Sequence, residues 1–227
     1  KDDEVPQVYV IAPDGGEARR LTTLATGCAS VRWFADGRRL AFVSWVWSDL
    51  PNDAAQARRL KERKETKVKA HATERAEYRY WDHWLTEGRE PHVFVCDVAT
   101  GRCRDALAGT GLSLPPWEPS TNEFDVSPDG REIAITADLA DEPGMLHRTD
   151  VVTIDLATRR RRVLTASTGR SDGAPRYSPD GRVVAYTSHD TERSHVDQGH
   201  LELIARRGGE PRAIGTAFDR AVGNVQW

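Results

Sequence analysis

The sequence predicts an all-β fold of the β-propeller class, and three observations support this prediction. A hairpin with an Asp-Gly turn recurs along the chain, a second kind of hairpin also recurs, and the two kinds alternate strictly. One hairpin of each kind makes four antiparallel strands, which is the content of one propeller blade. The step of 51 residues from Gly130 to Gly181 is the length expected for one blade. The connections are too short for the crossover helices of a doubly wound α/β sheet.

The chemistry of the turn defines the first kind of hairpin. An apolar strand leads to an Asp-Gly pair and an Arg, and a second strand follows with β-branched or aromatic residues in alternation. Asp supplies a side-chain acceptor and Gly a positive φ, as a tight turn requires. Pro128 and Pro179 preset φ at two of the turn entrances. The copies span residues 31–44, 124–137 and 175–188.

The second kind of hairpin fills the intervals at residues 7–22, 92–107, 150–165 and 200–215. The chain thus opens on the second half of a blade, and residues 223–227 match the first strand of another. We expect about four blades of four antiparallel strands in a single propeller segment, residues 1–227. A closed ring is not expected, because the closing blade would lack its second strand and leave unpaired edges.

One charged helical insertion is predicted between blade strands, over residues 49–79. Strong helix formers occupy residues 54–69, where basic residues outnumber acidic ones, and Leu60 and Val68 are the only large apolar side chains. Two interpretations remain open. The insertion is either a solvated excursion or a lip beside a cavity, where its basic side chains attract acidic peptide termini or contact another domain.

Composition limits the classes of partner. With 32 basic and 35 acidic residues the net charge is −3, so we expect no nucleic-acid partner. No apolar run reaches the ~20 residues of a membrane helix, so we expect no membrane partner. If Val98 and Arg102 face each other across their turn, Cys96 and Cys103 point to opposite faces of the hairpin. We therefore expect these two cysteines and Cys28 to be reduced, and a cytoplasmic location is favoured over a periplasmic one.

The repeat also carries a family resemblance. The sequence SPDGR followed by an apolar strand resembles the repeat shared by TolB-like propellers and by the propeller domain of prolyl oligopeptidase family serine peptidases. Within that family, the segment from Tyr78 to Gly101 resembles the dipeptidyl-peptidase and acylaminoacyl-peptidase branch, in which a WDxW motif precedes a strand of the form HVFV-DVATG.

The resemblance implies a function in which this chain does no chemistry by itself. In that family the propeller packs over an α/β-hydrolase domain, which carries the catalytic triad, and it gates access and helps bind peptide termini. Ser30 and Ser113 each lack the second glycine of a G-x-S-x-G nucleophile elbow and are ordinary residues. The pentapeptide GRSDG at residues 169–173 leads directly into a repeat hairpin and not into a helix, so we expect no catalytic residues here. The implied partners are the hydrolase domain of the same parent chain and short peptides, with no cofactor. The alternative is a TolB-like propeller that acts as a protein-interaction scaffold.

An aromatic and acidic cluster after the insertion is the candidate substrate-binding site. Its aromatic rings would hold apolar side chains, and Asp82 would bind a protonated amino terminus, with Glu77 and Glu87 as competing acids. The structural alternative is that the aromatic residues, together with Tyr78, are buried and pack the insertion onto its blade. The proposed residues are Tyr80, Trp81, Asp82, His83, Trp84 and Glu87.

Other conspicuous residues receive structural interpretations. The three histidines within residues 188–200 are interpreted as part of a solvated loop, and no metal site is expected. Trp33 and Trp227 occupy the same repeat position and are assigned to the core between blades. Trp45 and Trp47 are either core residues or part of a cavity wall.

Overall fold

The computed structural model describes residues 3–68, 70, 72–73, 78–139, 148–166, 169–193 and 196–227, and for His83 and Thr86 only the backbone. Within these residues the strands form three four-stranded antiparallel sheets and two separate two-stranded hairpins. The predicted pattern of four antiparallel strands per repeat is therefore present in three complete repeats.

The elements follow in chain order as β1 (Tyr9–Val10), β2 (Arg19–Arg20), β3 (Ala29–Trp33), β4 (Arg39–Val46), α1 (Asp53–Glu65), β5 (Arg79–Tyr80), β6 (His83–Trp84), a 3₁₀ turn (Leu85–Glu87), β7 (Glu90–Asp97), β8 (Cys103–Asp105), β9 (Phe124–Val126), β10 (Glu132–Asp138), β11 (Thr149–Asp155), β12 (Arg161–Val163), β13 (Arg170–Tyr177), β14 (Val183–Asp190), β15 (His200–Ala205) and β16 (Arg212–Ile214).

Each four-stranded sheet is a blade whose strand order follows the chain. Blade 1 is β3-β4-β7-β8, blade 2 is β9 to β12, and blade 3 is β13 to β16. The β1–β2 hairpin is a separate two-stranded sheet before blade 1 and corresponds in the repeat to the last two strands of a blade, and β5–β6 lies in the insertion between β4 and β7. The expected four blades are thus three complete blades and one hairpin.

Alternation along the strands lets each sheet bury both of its faces. In β10, Ile133 and Ile135 belong to the apolar core between blades 1 and 2, whereas the intervening Ala134 belongs to the core between blades 2 and 3. In β4, Leu40 and Phe42 pack instead toward the β1–β2 hairpin. Apolar side chains on both faces of a sheet require a neighbour on each side, which is how propeller blades stack.

The Asp-Gly turns form as predicted. Gly37, Gly130 and Gly181 have φ values of 62°, 64° and 66°. The Oδ1 atom of Asp129 accepts a hydrogen bond from the Arg131 amide, and Asp36 and Asp180 make the equivalent contact. At Gly130 a Cβ atom would also meet the Arg39 guanidinium of blade 1, but this is the movable end of a flexible side chain, so the positive φ of the turn is what requires glycine here.

Residues 223–227 match a first strand in sequence but form no strand, since their backbone pairs with no described strand. Their backbone still carries one signature of that position. Asn224 has φ 51°, and the equivalent Ser30 and Ala174 have φ 54° and 53° at the bulges of β3 and β13. The prediction of a strand here is therefore wrong, although the local conformation agrees with the repeat.

The cysteine prediction is wrong for two of the three thiols. The Asp97 amide donates to the Arg102 carbonyl at 3.0 Å, so these two residues face each other across the turn, one position away from the expected register. Cys96 and Cys103 are consequently direct cross-strand partners with Cα atoms 4.0 Å apart, and they form a disulfide. Cys28 is a buried free thiol.

The assignment of Trp33 and Trp227 to the core between blades also needs correction. Both indoles are about half exposed, at 49 % and 56 %. The equivalent Tyr177 is buried because its ring lies against blade 2, where its hydroxyl donates to Glu132 at 2.8 Å. Within the described residues the sheet before blade 1 is the two-stranded β1–β2 hairpin, and no described strand covers Trp33 from that side.

The helical insertion is present and is fixed at its start. Helix α1 begins after Asn52, whose side chain accepts from the Ala55 amide at 3.0 Å. The buried Gln56 side chain bonds both the amide and the carbonyl of Trp47, at 3.0 and 2.9 Å. The limits of 49–79 for the whole insertion stay a prediction. No helix among the described residues combines the length and apolar character needed to cross a membrane.

Candidate functional site

The predicted site segment folds into a tight hairpin. Tyr80 pairs with His83, which leaves Trp81 and Asp82 as the turn between β5 and β6. Trp81 has φ 48°, a backbone conformation that a bulky side chain rarely adopts. Strained positions of this kind persist only where the surroundings hold them, and they concentrate at functional sites. The backbone conformation of Trp81 therefore makes this hairpin a candidate functional site.

Tyr78, Trp81 and Trp84 are exposed and Tyr80 is partly buried, so the alternative in which all four are buried against a blade is wrong. Trp81 is 76 % exposed, Tyr78 49 % and Trp84 42 %. The Tyr78 and Trp84 rings lie 6.1 Å apart, and Tyr80 meets Trp81 edge to face at 6.4 Å. These exposed rings together form an apolar patch on the surface of the described residues.

A cavity of about 340 Å³ opens beside this hairpin. Its walls combine two indoles, three carboxylates and one guanidinium, and we name it the acidic cavity. The lining residues are Thr26, Trp45, Asp82, Trp84, Leu85, Glu87, Arg89 and Glu118.

The charge in the acidic cavity favours a cation. Among the described residues that line the cavity, Asp82, Glu87 and Glu118 are acidic and Arg89 is basic. Trp45 and Trp84 add aromatic surface, which attracts cations over its faces and apolar groups alike. A protonated amine attached to a small apolar group therefore suits this cavity in both charge and surface.

The cavity brings together part of the predicted site. Asp82, Trp84 and Glu87 line it, whereas Tyr80 and Trp81 do not. The backbone of His83 lies in β6, and its side chain, like all of Glu77, lies outside the described residues. Of the residues that the sequence left open, Trp45 lines this cavity, and Trp47 is buried next to it.

Sequence reasoning missed Glu118, although a topological signal was available. In an up-and-down blade the connection from strand two to strand three and the connection to the next blade emerge on the same face. Three connections belong to this set: the insertion after β4, the β2–β3 loop with Thr26, and the Pro-rich β8–β9 loop with Glu118. We name this side of the propeller the insertion face.

Glu87 connects the acidic cavity to the helix. Its carboxylate accepts from Arg89 Nη2 at 2.8 Å and lies 3.5 Å from Arg63 Nη2 of α1. Its main-chain carbonyl accepts from the Trp47 indole at 2.8 Å. The guanidinium groups of Arg59 and Arg89 lie 5.4 and 5.7 Å from the Trp47 ring. The insertion is thus joined to the site and does not project freely into solvent.

The histidine-rich loop does not gather into a ligand set within the described residues. His200 Nε2 lies 3.9 Å from Asp197, whose other oxygen accepts from the Asp190 amide. His195 lies outside the described residues. Nowhere in the described part of the chain do three His, Cys, Asp or Glu side chains come close enough to hold a metal ion.

Comparison with known proteins identifies relatives among peptidases. No protein-family model matches the chain. The chain is 28 % identical over 207 residues to dipeptidyl-peptidase 5 of Porphyromonas endodontalis, covering 87 % of this chain and 28 % of that protein. It is 24 % identical over 268 aligned residues to dipeptidyl-peptidase 5 of Porphyromonas gingivalis, covering 97 % of this chain and 38 % of that protein. The chain therefore spans about a third of the length of these curated relatives.

Solved structures share the fold at low sequence identity. An acylaminoacyl peptidase from Pyrococcus horikoshii superimposes with a TM-score of 0.62 at 14 % identity, covering 96 % of this chain and 30 % of that one. A putative TolB from Agrobacterium tumefaciens gives a TM-score of 0.53 at 16 % identity, covering 91 % and 55 %. The predicted β-propeller fold is confirmed, and so is the resemblance to TolB-like propellers and to the dipeptidyl-peptidase and acylaminoacyl-peptidase branch.

Proposed function

We propose that this chain is the propeller segment of a serine exopeptidase, in which the acidic cavity binds the protonated amino terminus of a short peptide. The observation that supports the proposal most directly is the cavity itself. It places three carboxylates and two indoles on the insertion face of a propeller whose sequence relatives are named dipeptidyl peptidases.

The chemistry of terminus recognition follows from the charges. A peptide ammonium forms charge-assisted hydrogen bonds with carboxylates, and these are stronger than bonds between neutral partners. An enzyme that removes a fixed number of residues from the amino end needs such an anchor at a set distance from the reacting bond. The propeller supplies the anchor and restricts access, and the hydrolase domain of the parent chain carries out the acyl transfer.

The test uses the full-length protein and two dipeptidyl p-nitroanilide substrates that differ only in N-acetylation. In the Asp82→Asn, Glu118→Gln double variant we expect kcat/KM for the free-amine substrate to fall about tenfold or more, since charge-assisted bonds are lost. The acetylated substrate should be affected less than twofold. Glu62→Gln, an exposed helix position outside the cavity, is the matched control and should behave as the wild type.

Two results would contradict the proposal. One is an equal fall in kcat/KM for the free-amine and the acetylated substrate, which would show that the two acids act on something other than the amine. The other is unchanged kinetics in a variant whose thermal unfolding is also unchanged.

A second candidate is supported by the TM-score of 0.53 to a putative TolB. Under this alternative the propeller is a scaffold for other proteins, and the exposed rings of Trp81, Trp84 and Tyr78 form its contact surface. The sequence downstream of Trp227 separates the two functions. A G-x-S-x-G elbow there supports the peptidase, and a second binding module supports the scaffold.

A further inference from the structure

A second cavity of about 630 Å³ lies between the helix and the acidic cavity, and we name it the basic cavity. The two cavities share Glu87 and Arg89 in their walls. On the helix side the basic cavity is lined by Leu60, Arg63 and Lys64. A ligand that fills the acidic cavity therefore has a second, open cavity within reach.

The charged residues that line the basic cavity are mainly basic, whereas those that line the acidic cavity are mainly acidic. Arg63, Lys64 and Arg89 contribute three cations against the one carboxylate of Glu87. That carboxylate already lies 2.8 Å from Arg89 and 3.5 Å from Arg63. The remaining positive charge favours an additional anion, and clefts with walls of low dielectric strengthen such attraction.

The cations of the helix are held in position before any ligand arrives. Gln56 ties the first turns of α1 to the Trp47 backbone, and Arg59 pairs with Asp49 at 2.9 Å. Arg63 follows Arg59 by one helical turn, so both project toward Trp47 and Glu87. Lys64 meets Glu4 at 3.5 Å, but both side chains are largely exposed, so this pair holds Lys64 only weakly.

We propose that the basic cavity binds an acidic side chain of the same peptide whose amino terminus occupies the acidic cavity. The substrates would then be peptides with Asp or Glu within the first few residues. Leu60 and Val68 supply apolar surface for the methylene groups of such a side chain. The inference rests on the proposed function, and it assigns the charged insertion a role in specificity.

The test measures competition by tetrapeptide amides against hydrolysis of a dipeptidyl p-nitroanilide by the full-length protein. Peptides carry Glu or Gln at position one, two or three, and an N-acetylated copy of each is included. At low salt we expect one Glu peptide to compete about fivefold to tenfold better than its Gln partner. Added salt should reduce this preference, because the cations are partly exposed.

The variant Arg63→Gln, Lys64→Gln should lower the Glu preference to less than twofold. Arg58→Gln, an exposed position of the same helix outside the cavity, should retain it. Since the amide peptides have no terminal carboxylate, a second set with free carboxyl ends separates the two sources of negative charge. A preference that follows only the free carboxyl end would overturn the proposal.

The outcomes distinguish this inference from the proposed function. If acetylation weakens competition but Glu and Gln peptides compete equally at every position, the basic cavity has no such role and the amino-terminus site stands. A Glu preference that survives in the double variant also overturns the inference. If acetylation has no effect, or the full-length protein hydrolyses no substrate, both proposals are overturned.

Discussion

His92 is a buried ionisable side chain whose charge is stabilised by its neighbours. Only 2 % of its surface is exposed, and Nδ1 lies 2.7 Å from Asp105 Oδ2 of the adjacent strand. Burial lowers the pKa of His92, but the hydrogen bond with Asp105 and the proximity of Glu90 outweigh it and raise this pKa to about 9. Nε2 lies 3.7 Å from Glu90, too far for a hydrogen bond, so Asp105 is the main partner.

The raised pKa of His92 predicts a pH dependence of stability. The stabilisation is fully present below the unfolded-state pKa of about 6.5 and is lost as the pH rises through 9. We expect the protein to lose on the order of 2–3 kcal/mol of unfolding free energy between pH 6 and pH 9.5 from this group. Urea titrations at the two pH values measure it.

In the His92→Gln variant this part of the pH dependence should disappear, and in Asp105→Asn it should shrink. His200→Gln removes a histidine that is exposed and is the control. An identical pH slope in the wild type and in both strand variants would refute the assignment.

At the candidate site, sequence alone predicted the residues that are clustered along the chain. Asp82, Trp84 and Glu87 belong to one short segment of aromatic and acidic side chains, and the structure places all three at the wall of one cavity. Glu118 is distant in sequence, and it reaches the cavity through the shared face of two loops. Its contribution therefore depends on tertiary geometry that no local pattern encodes.

At the scale of elements, the turn between β7 and β8 shows how one position of register changes covalent structure. Asp97 and not Val98 faces Arg102, which places Cys96 and Cys103 on the same side of the hairpin. The alternation of apolar and polar residues predicted that β7 and β8 are strands. The register between them depends on the hydrogen bonds inside the turn, which alternation does not reveal. Here the Asp97 side chain accepts from the Thr100 amide at 2.8 Å and fixes the longer loop, residues 98–101.

The disulfide predicts sensitivity to reductant. It closes a loop with a sequence separation of 7 residues, and chain entropy for so short a loop corresponds to about 2–3 kcal/mol. We expect dithiothreitol to lower the free energy of unfolding by about that amount, as measured by urea denaturation. Cys103→Ser should be less stable and insensitive to dithiothreitol, whereas Cys28→Ala should respond to dithiothreitol as the wild type does. Equal stability of the wild type with and without reductant would contradict the prediction.

At the scale of the whole molecule, Asp125 connects all three blades. It belongs to β9 of blade 2, accepts from the Tyr177 amide of blade 3 at 2.8 Å, and lies 3.3 Å from Arg32 Nη1 of blade 1. Burial raises the pKa of Asp125, and the contacts with Tyr177 and Arg32 offset this only in part. The interior of the propeller segment is thus polar where the first strands meet.

Removing this carboxylate should weaken the blades together. We expect Asp125→Ala to lower the free energy of unfolding by about 2–4 kcal/mol, because the Tyr177 amide and the Arg32 guanidinium lose their partner. Asp125→Asn keeps an acceptor and buries no charge, so it should lower the free energy of unfolding by less than half as much as Asp125→Ala does. Glu192→Ala, at an exposed position, is the control.

Hydrogen exchange in the Asp125→Ala variant gives a second measurement. Amide protons in β3, β9 and β13 should exchange faster together, since all three strands share the connection. Faster exchange confined to β9 would show that the contact stabilises one blade alone.

The blade count illustrates what a repeat can and cannot predict. Alternating hairpins and Asp-Gly turns predicted the strands of blades 1 to 3, because alternation and turn chemistry are local. The burial of Trp33 was not predictable from its repeat position, since it depends on which strands stand on its far side. Tyr177 has blade 2 there, whereas Trp33 faces only a two-stranded hairpin.

The division of the propeller into two faces has a consequence for how such a protein can change. Asp-Gly turns such as that at Gly130 fill one face and contact the neighbouring blade, so lengthening them would disturb the stacking. On the insertion face, the connection between β4 and β7 carries a helix while these two strands keep their full ladder of partners. A lineage can therefore exchange, lengthen or delete segments on this rim and acquire new selectivity while the strand ladders beneath keep their pairing.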